Sequence, residues 1–254
     1  ITDSLVGSEM CIRDSDFVEH GWDIKRLVKQ MLMSQTYRQS SSVRPEDVEV
    51  DPENRLLARG SRYRLSAEMV RDQALAVSGL LVERRGGPSV KPYQPPGLWN
   101  EVSLNPGVKF TKDAGPNQYR RSLYTYWKRS SPPPMMLIFD APSREKCSVR
   151  RSRTNTPLQA LVLMNDPQFL EAARGMAERL LLTEGLDETS RLELAYQWVT
   201  ARQPQAAVLE VLLDQLGVQR EHYQDHTDAA NELLAHGDSP RNCLLYTSDA
   251  ADEE

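Results

Sequence analysis

The chain is poor in cysteine, with three in 254 residues (Cys11, Cys147 and Cys243), of which only Cys147 lies away from the ends. One interior thiol excludes an internal disulfide, a thiolate metal cluster and a haem-c attachment pair, since each needs at least two cysteines. No C-x-x-C-H occurs anywhere. Long apolar runs are also missing. Stretches such as Met135 to Phe139 and Leu180 to Leu182 fall far short of the ~20 residues of a membrane-spanning helix. The sequence therefore predicts no membrane span. No glycine-rich phosphate cradle, nucleophile elbow or dinucleotide fingerprint is present, and no signal peptide is visible.

Net charge is scarce once the ends are set apart. The first fifteen residues (ITDSLVGSEMCIRDS) and the last twelve (CLLYTSDAADEE) continue no helical pattern. They resemble translated sequencing-adapter DNA of the kind met in assembled metagenomic sequence, and segments of that kind are set aside before fold reasoning. The expected organisation is a non-native segment over 1–15, a partial helical domain over 16–242 and a non-native segment over 243–254. The two ends hold seven acids against Arg13, which turns the whole-chain charge of −5 into an interior of 30 bases and 29 acids. A near-neutral interior without a recognised binding motif argues against nucleic acid as a partner.

Proline (16 residues) and glycine (13 residues) punctuate the chain. Asp23 stands as N-cap before Ile24, Leu27, Val28, Met31 and Leu32 at helical spacing, predicting about four turns. Arg44 to Asn54 reads as a polar connection. Ser66 opens a second helix carrying Met69, Val70, Ala74, Val77, Leu80 and Leu81, with Gly86-Gly87-Pro88 as its stop. Over residues 83–118 the periodicity vanishes among prolines and glycines. Tyr93, Leu98 and Trp99 mark this stretch as a long ordered loop packed on a surface. Alternation and aromatics over Tyr119 to Trp127 predict a strand, and Met135 to Phe139 a short buried element. Thr156-Pro157-Leu158-Gln159 reads as a capped helix start with a capping box, and Asp166-Pro167 repeats the start. Helical patterns continue over Leu192 to Val199, Pro204 to Leu216 and Ala229 to Leu234, with Gly237 as C-cap. The fold class is mostly α, a multi-helix domain with a minor β component and a long ordered Pro/Gly-rich loop.

Four stretches carry a family resemblance: EHGWDIKRLVKQMLMSQTYRQSS, DPENRLLARGSRYRLSAEMVRDQAL, PYQPPGLWNEVS and FDAPSREKCSVRRSRTNTPLQALVLMNDPQFLEAARGMAERLL. Together they resemble the C-terminal planctomycete-type domain of unknown function found in secreted, cytochrome-c-associated multidomain proteins. The resemblance implies an extracytoplasmic or periplasmic location and upstream domains of the same polypeptide as partners. It also implies haem c in an upstream module, with no cofactor in this fragment. It implies no reaction.

Between Arg120 and Arg153 nine bases face only Asp140 and Glu145. Arginine offers carboxylate or sulfate a two-pronged fork, so Arg121, Arg144, Arg150 and Arg151 are candidate ligands for an anionic or glycan partner. The competing reading pairs these arginines with Glu68, Asp72 or Glu171 to fasten the fold. Asp140, Glu145 and Cys147 are candidate catalytic groups: paired carboxylates can share acid and base roles, and neighbouring arginines can activate a thiol. The opposing reading makes Asp140 a turn cap and Cys147 a small buried apolar residue. Trp99 is either a platform for a sugar ring or an anchor for the loop. His222 and His226, four apart, fall short of a metal site because two ligands do not make one, and His20 reads as a turn residue bonding to the backbone. The functional expectation is a non-catalytic binding or docking domain; the alternative is a hydrolase acting on a polysaccharide or sulfated glycan through Asp140 and Glu145.

Overall fold

The computed structural model describes residues 13–102, 109–242 and 245, and the chain divides into two compact units, 1–64 and 65–254. Each is taken by itself.

The first unit contains α1 (13–19), α2 (Ile24–Met33), α3 (Gln35–Arg38) and α4 (Pro45–Val50). Asp23 caps α2 as its sequence position predicts, accepting from the Arg26 N–H. The helix ends at Ser34, a turn short of the four expected, because Ser34 leaves the helical conformation and its hydroxyl caps α3 through the Tyr37 N–H. α4 forms within the expected polar connection, started by Pro45 at its first position. No apolar side chain among the described residues of this unit is fully buried, and Trp22, Ile24, Met31 and Met33 are more than half exposed. Polar groups shape it instead. Arg26 holds Asp16 at 2.5 and 3.0 Å, and buried Asp51 accepts from the N–H groups of Arg55 and Leu56.

The second unit is built on α5 (Ala67–Ser78), α6 (Leu98–Val102), α7 (Pro134–Ile138), α8 (Pro157–Asn165) and α9 (Pro167–Leu181), followed by α10 (Glu188–Thr200), α11 (Ala206–Asp225) and α12 (Thr227–Leu234). Ser66 caps α5 as expected, but the helix stops at Gly79 rather than at Gly86. Gly79 takes φ +78°, a left-handed conformation that ends a helix at least cost in glycine. Leu80 and Leu81 are thereby released from the helical stripe. α5 packs on α9, and the approach is close enough that a Cβ on Gly175 would lie 3.1 Å from the Ser78 carbonyl.

The β component is small. Val82 bridges Arg120, and Val90 bridges Thr125, each as an isolated parallel pair. Within the segment expected as a strand, Tyr119 to Trp127, only Arg120 and Thr125 make these bridges, Ser122–Tyr124 forms a 3-10 turn, and a second 3-10 turn, Gly115–Tyr119, ends at its first residue. Alternation was present, yet the neighbouring chain is the irregular 80–97 stretch, which offers a partner only at single points. The long loop expected over 83–118 carries α6 within it, and its residues 103–108 lie outside the described residues.

The apolar core is thin. Ala67, Met136 and Ala141 form its buried centre, with Trp127, Met135 and Phe139 against it, and Phe139 meets Phe169 edge to face at 6.3 Å. Leu75, Val90, Trp99, Phe169, Ala172 and Leu180 are buried outside that centre, together with polar side chains, among them Arg71, Arg120, Gln159, Gln168, Glu171 and Arg174. No helix among the described residues is long and apolar enough to cross a membrane.

Candidate binding site

Residues 143–153 lie between α7 and α8 without helix or strand, and every one of them is exposed. Arg144, Lys146, Arg150, Arg151 and Arg153 stand there against Glu145 alone. The base of this loop is fastened. Asp140 sits in the left-handed region at φ +62°, where Asp is among the tolerated residues. Its carboxylate accepts from the Thr154 N–H at 2.7 Å and the Thr154 hydroxyl at 2.9 Å. Buried Gln159, on α8, donates to the Ile138 carbonyl and to Thr154. Thr156 makes no side-chain cap, so the reciprocal capping box expected at this helix start is not completed. On the other flank Trp127 donates to the Ser143 carbonyl at 3.0 Å, and the Arg144 guanidinium lies 4.4 Å over the Trp127 ring.

The predicted residues separate under this geometry. Arg151 pairs with Glu68 at 2.7 Å. Burial raises the Glu68 carboxyl, but the Arg151 guanidinium, together with hydrogen bonds from the Glu68 N–H and Ser66, outweighs it and holds the group below its usual range. Arg121 reaches Asp72 at 3.6 Å. Glu171 takes no arginine: it accepts from the Tyr119 hydroxyl and from the N–H groups of Asp238 and Ser239. Arg144 and Arg150 are exposed in the loop. Cys147 is an exposed free thiol, which corrects the reading of it as a buried apolar residue. A loop with no packed side on which to bury it leaves it in solvent. Glu145 is exposed while Asp140 is half-buried and engaged at the loop base. Trp99 is only 6% exposed, packed edgewise on Phe110 with Tyr126 beside it and the Lys128 ammonium 4.4 Å over its ring. It anchors the long loop and offers no open face to a sugar. His222 and His226 stack at 4.6 Å, and among the described residues no group of three metal-ligating side chains forms.

Sequence reasoning passed over two features. The first is a cage of buried cations. Arg71 donates to the carbonyls of Gln118 and Arg120, to the Ser122 hydroxyl and to Gln168 Oε1. Burial pushes its pKa down to about 10. Arg120 donates to the carbonyls of Pro88, Arg84 and Gly86, and Arg174 to those of Leu234 and Ser239.

The second is a cleft between residues 92–95 and the corner joining α8 to α9. Its inner part is a cavity of about 160 Å³ with Pro92, Tyr93, Pro133, Met135 and Ile138 in its walls. Thr125, Asp166 and Gln168 are its polar lining. A shallower part of about 370 Å³ continues over Tyr93 and Asp166 to Leu161 and Asn165. Burial raises the Asp166 carboxyl above its ordinary pKa, against the opposing pull of the Gln168 N–H and Arg71. The one cue in the sequence was Asp166-Pro167, which reads first as a helix start and does act as one, Asp166 accepting from the Gln168 N–H.

Comparison with known proteins gives one family. The family described as PSD1, Protein of unknown function (DUF1553), matches residues 14–216. No curated protein and no solved structure matches the chain.

Proposed function

We propose, for a chain that belongs to the PSD1 family of proteins of unknown function, a non-catalytic binding domain whose loop 143–153 docks an anionic ligand, a sulfated or carboxylated glycan. One observation carries the reading: five bases against one acid, all exposed, on a segment without helix or strand whose two ends are held by Asp140 with Thr154 and by Trp127 with Ser143. A loop fixed at its base loses less conformational freedom on binding than a free one, which favours affinity. Arg144 adds a further mark. It sits at φ +62°, an uncommon conformation for a residue with a side chain, and lies stacked on Trp127.

The hydrolytic alternative through Asp140 and Glu145 has less support, because Thr154 occupies both Asp140 oxygens at the base of the loop. The proposed setting is an exported multidomain protein, on the strength of the family resemblance, with the loop tethering the upstream modules to an extracellular anionic polymer.

Retention on a heparin-type sulfated matrix tests the reading. The intact chain is expected to bind and to be eluted by moderate salt, since exposed charge pairs are screened over about 8 Å at physiological ionic strength. Lys146→Ala combined with Arg150→Ala is expected to lose retention while melting at the same temperature. Equal retention of this double variant and the parent overturns the proposal.

A further inference from the structure

The cleft beside α8 is separate from the basic loop, and its polar groups differ in kind from the loop's. Asp166 accepts from the Gln168 N–H with one carboxylate oxygen, leaving the other as an acceptor. Asn165 donates through Nδ2 to the Leu161 carbonyl, leaving Oδ1. Gln168 gives its Oε1 to Arg71, which leaves the Nε2 donors. Thr125, more than nine-tenths buried, lines the same cleft with a hydroxyl that has no hydrogen-bond partner. A buried unpartnered hydroxyl costs free energy that a ligand group can recover.

These groups offer both donors and acceptors around an apolar wall made of Tyr93, prolines and Met135. Charge narrows the choice of ligand. An anion entering the cleft would meet Asp166. A cation would meet the field of Arg71, which acts on Asp166 across the same corner. A neutral polyhydroxylated molecule meets neither penalty. Each of its hydroxyls can donate and accept, and its C–H face suits the Tyr93 ring and the proline walls, in line with pockets that are mainly apolar with a few converging polar groups.

We infer that the cleft is a binding subsite for a neutral sugar ring, with Tyr93 as its stacking face and Asp166, Gln168, Asn165 and Thr125 as its hydroxyl-binding groups. The inference goes beyond the anion-docking reading and does not depend on it.

The test uses the full chain with maltohexaose, cellohexaose and xylohexaose as neutral probes, and n-butylamine and acetate as charged ones. Binding is read by saturation-transfer NMR and calorimetry. At least one hexasaccharide is expected to bind with a Kd of about 1 mM. Tyr93→Ala should weaken it about tenfold, Tyr93→Phe should hold it within about threefold, and Asn165→Ala on the exposed rim should weaken it about threefold. Circular dichroism and melting identify folded variants, so that a loss of binding is read only in those. Arg150→Ala is expected to leave this binding unchanged while weakening heparin retention, so the two readings fail separately. Absence of binding by all three hexasaccharides at about 10 mM, indifference to Tyr93→Ala and Asn165→Ala in folded protein, or tighter binding of butylamine or acetate each overturns the inference.

Discussion

Arginine meets two opposite fates within residues 65–242. Arg71, Arg120 and Arg174 are buried, and their guanidinium groups are filled largely by backbone carbonyls from irregular chain and the ends of helical turns. Arg144 and Arg150 stand exposed in the loop before α8. The density of positive charge along the sequence does not separate these fates, since Arg120 and Arg150 belong to the same basic stretch. The difference lies in the acceptors nearby. A stretch rich in proline and glycine cannot pair its carbonyls in a ladder, and a buried carbonyl left unpaired is costly. An arginine with five donors settles several at once. The loop before α8 is exposed throughout, so water reaches its backbone, and Arg144 and Arg150 stand in solvent.

The strongest way to break this comparison is to remove a buried member. Arg71→Ala leaves the carbonyls of Gln118 and Arg120 and the Gln168 amide oxygen without their donor. Unsatisfied buried groups cost about 1–3 kcal/mol each, so a total loss of about 4 kcal/mol or outright failure to fold is expected. Urea unfolding measures it. Arg71→Lys should recover less than half, because an ammonium cannot reproduce the planar fork. Unfolding midpoints within experimental error of the parent would make the cage incidental.

A smaller effect is expected where a carboxylate rather than a guanidinium is caged. Glu171 accepts from Tyr119, Asp238 and Ser239, and the chain reaches it by passing close at Gly237. A Cβ there would stand 2.4 Å from the Glu171 carboxyl carbon, in backbone at φ +89°. Gly237→Ala should therefore cost about 2 kcal/mol through strain and displacement of the cage. Gly217→Ala is the control, a helical glycine with nothing within 4 Å of the added atom, which should stabilise by about 0.5–1 kcal/mol. Matching thermal shifts for the two variants would count against a tight Glu171 cage.

How much of this was legible beforehand depended on whether a feature is local. Caps at Asp23, Ser66 and Asp166 are contacts within three residues, and all three form from the sequence signals that announce them. Gly79 was passed over as a stop because apolar Leu80 and Leu81 continue the helical spacing, and periodicity outweighed a single glycine. The Arg71 cage joins residues 47 to 97 positions apart, so no local pattern encodes it. The cleft suffers the same blindness: Tyr93, Met135 and Asp166 meet only through the fold. Arg151 and Glu68, also distant, were anticipated as partners because opposite charges suggest each other even across a long separation, whereas an arginine bound to a carbonyl leaves no such trace.

That anticipated pair sharpens the comparison from the side of the loop. Arg151→Ala removes a contact in which Arg151 is 43% and Glu68 22% exposed. Solvent screening limits such a pair to under about 1 kcal/mol. Since Arg151 lowers the Glu68 carboxyl below its ordinary value of 4.5, the stabilisation is complete above that pH and fades as pH falls through the lowered folded value. The parent and variant should therefore differ in urea midpoint at pH 7 and converge as pH falls below the ordinary carboxylate range. A difference that persists unchanged in acid would assign the effect to something other than this ion pair.

The least effect on stability belongs to Arg150, and that is why it bears most directly on function. It is exposed on a loop without regular structure, so Arg150→Ala should change stability by no more than about 0.5 kcal/mol. If the buried and exposed arginines differ only in degree, binding to a sulfated matrix should track stability across the series, with Arg71 variants weakest. If they differ in kind, the order inverts: Arg150→Ala, combined with Lys146→Ala, loses retention at unchanged stability, while Gly237→Ala loses stability yet binds normally below its melting temperature. Measuring retention and unfolding on the same set of variants separates these outcomes, because a fold-borne loss of binding disappears on cooling and a loss of contact charges does not.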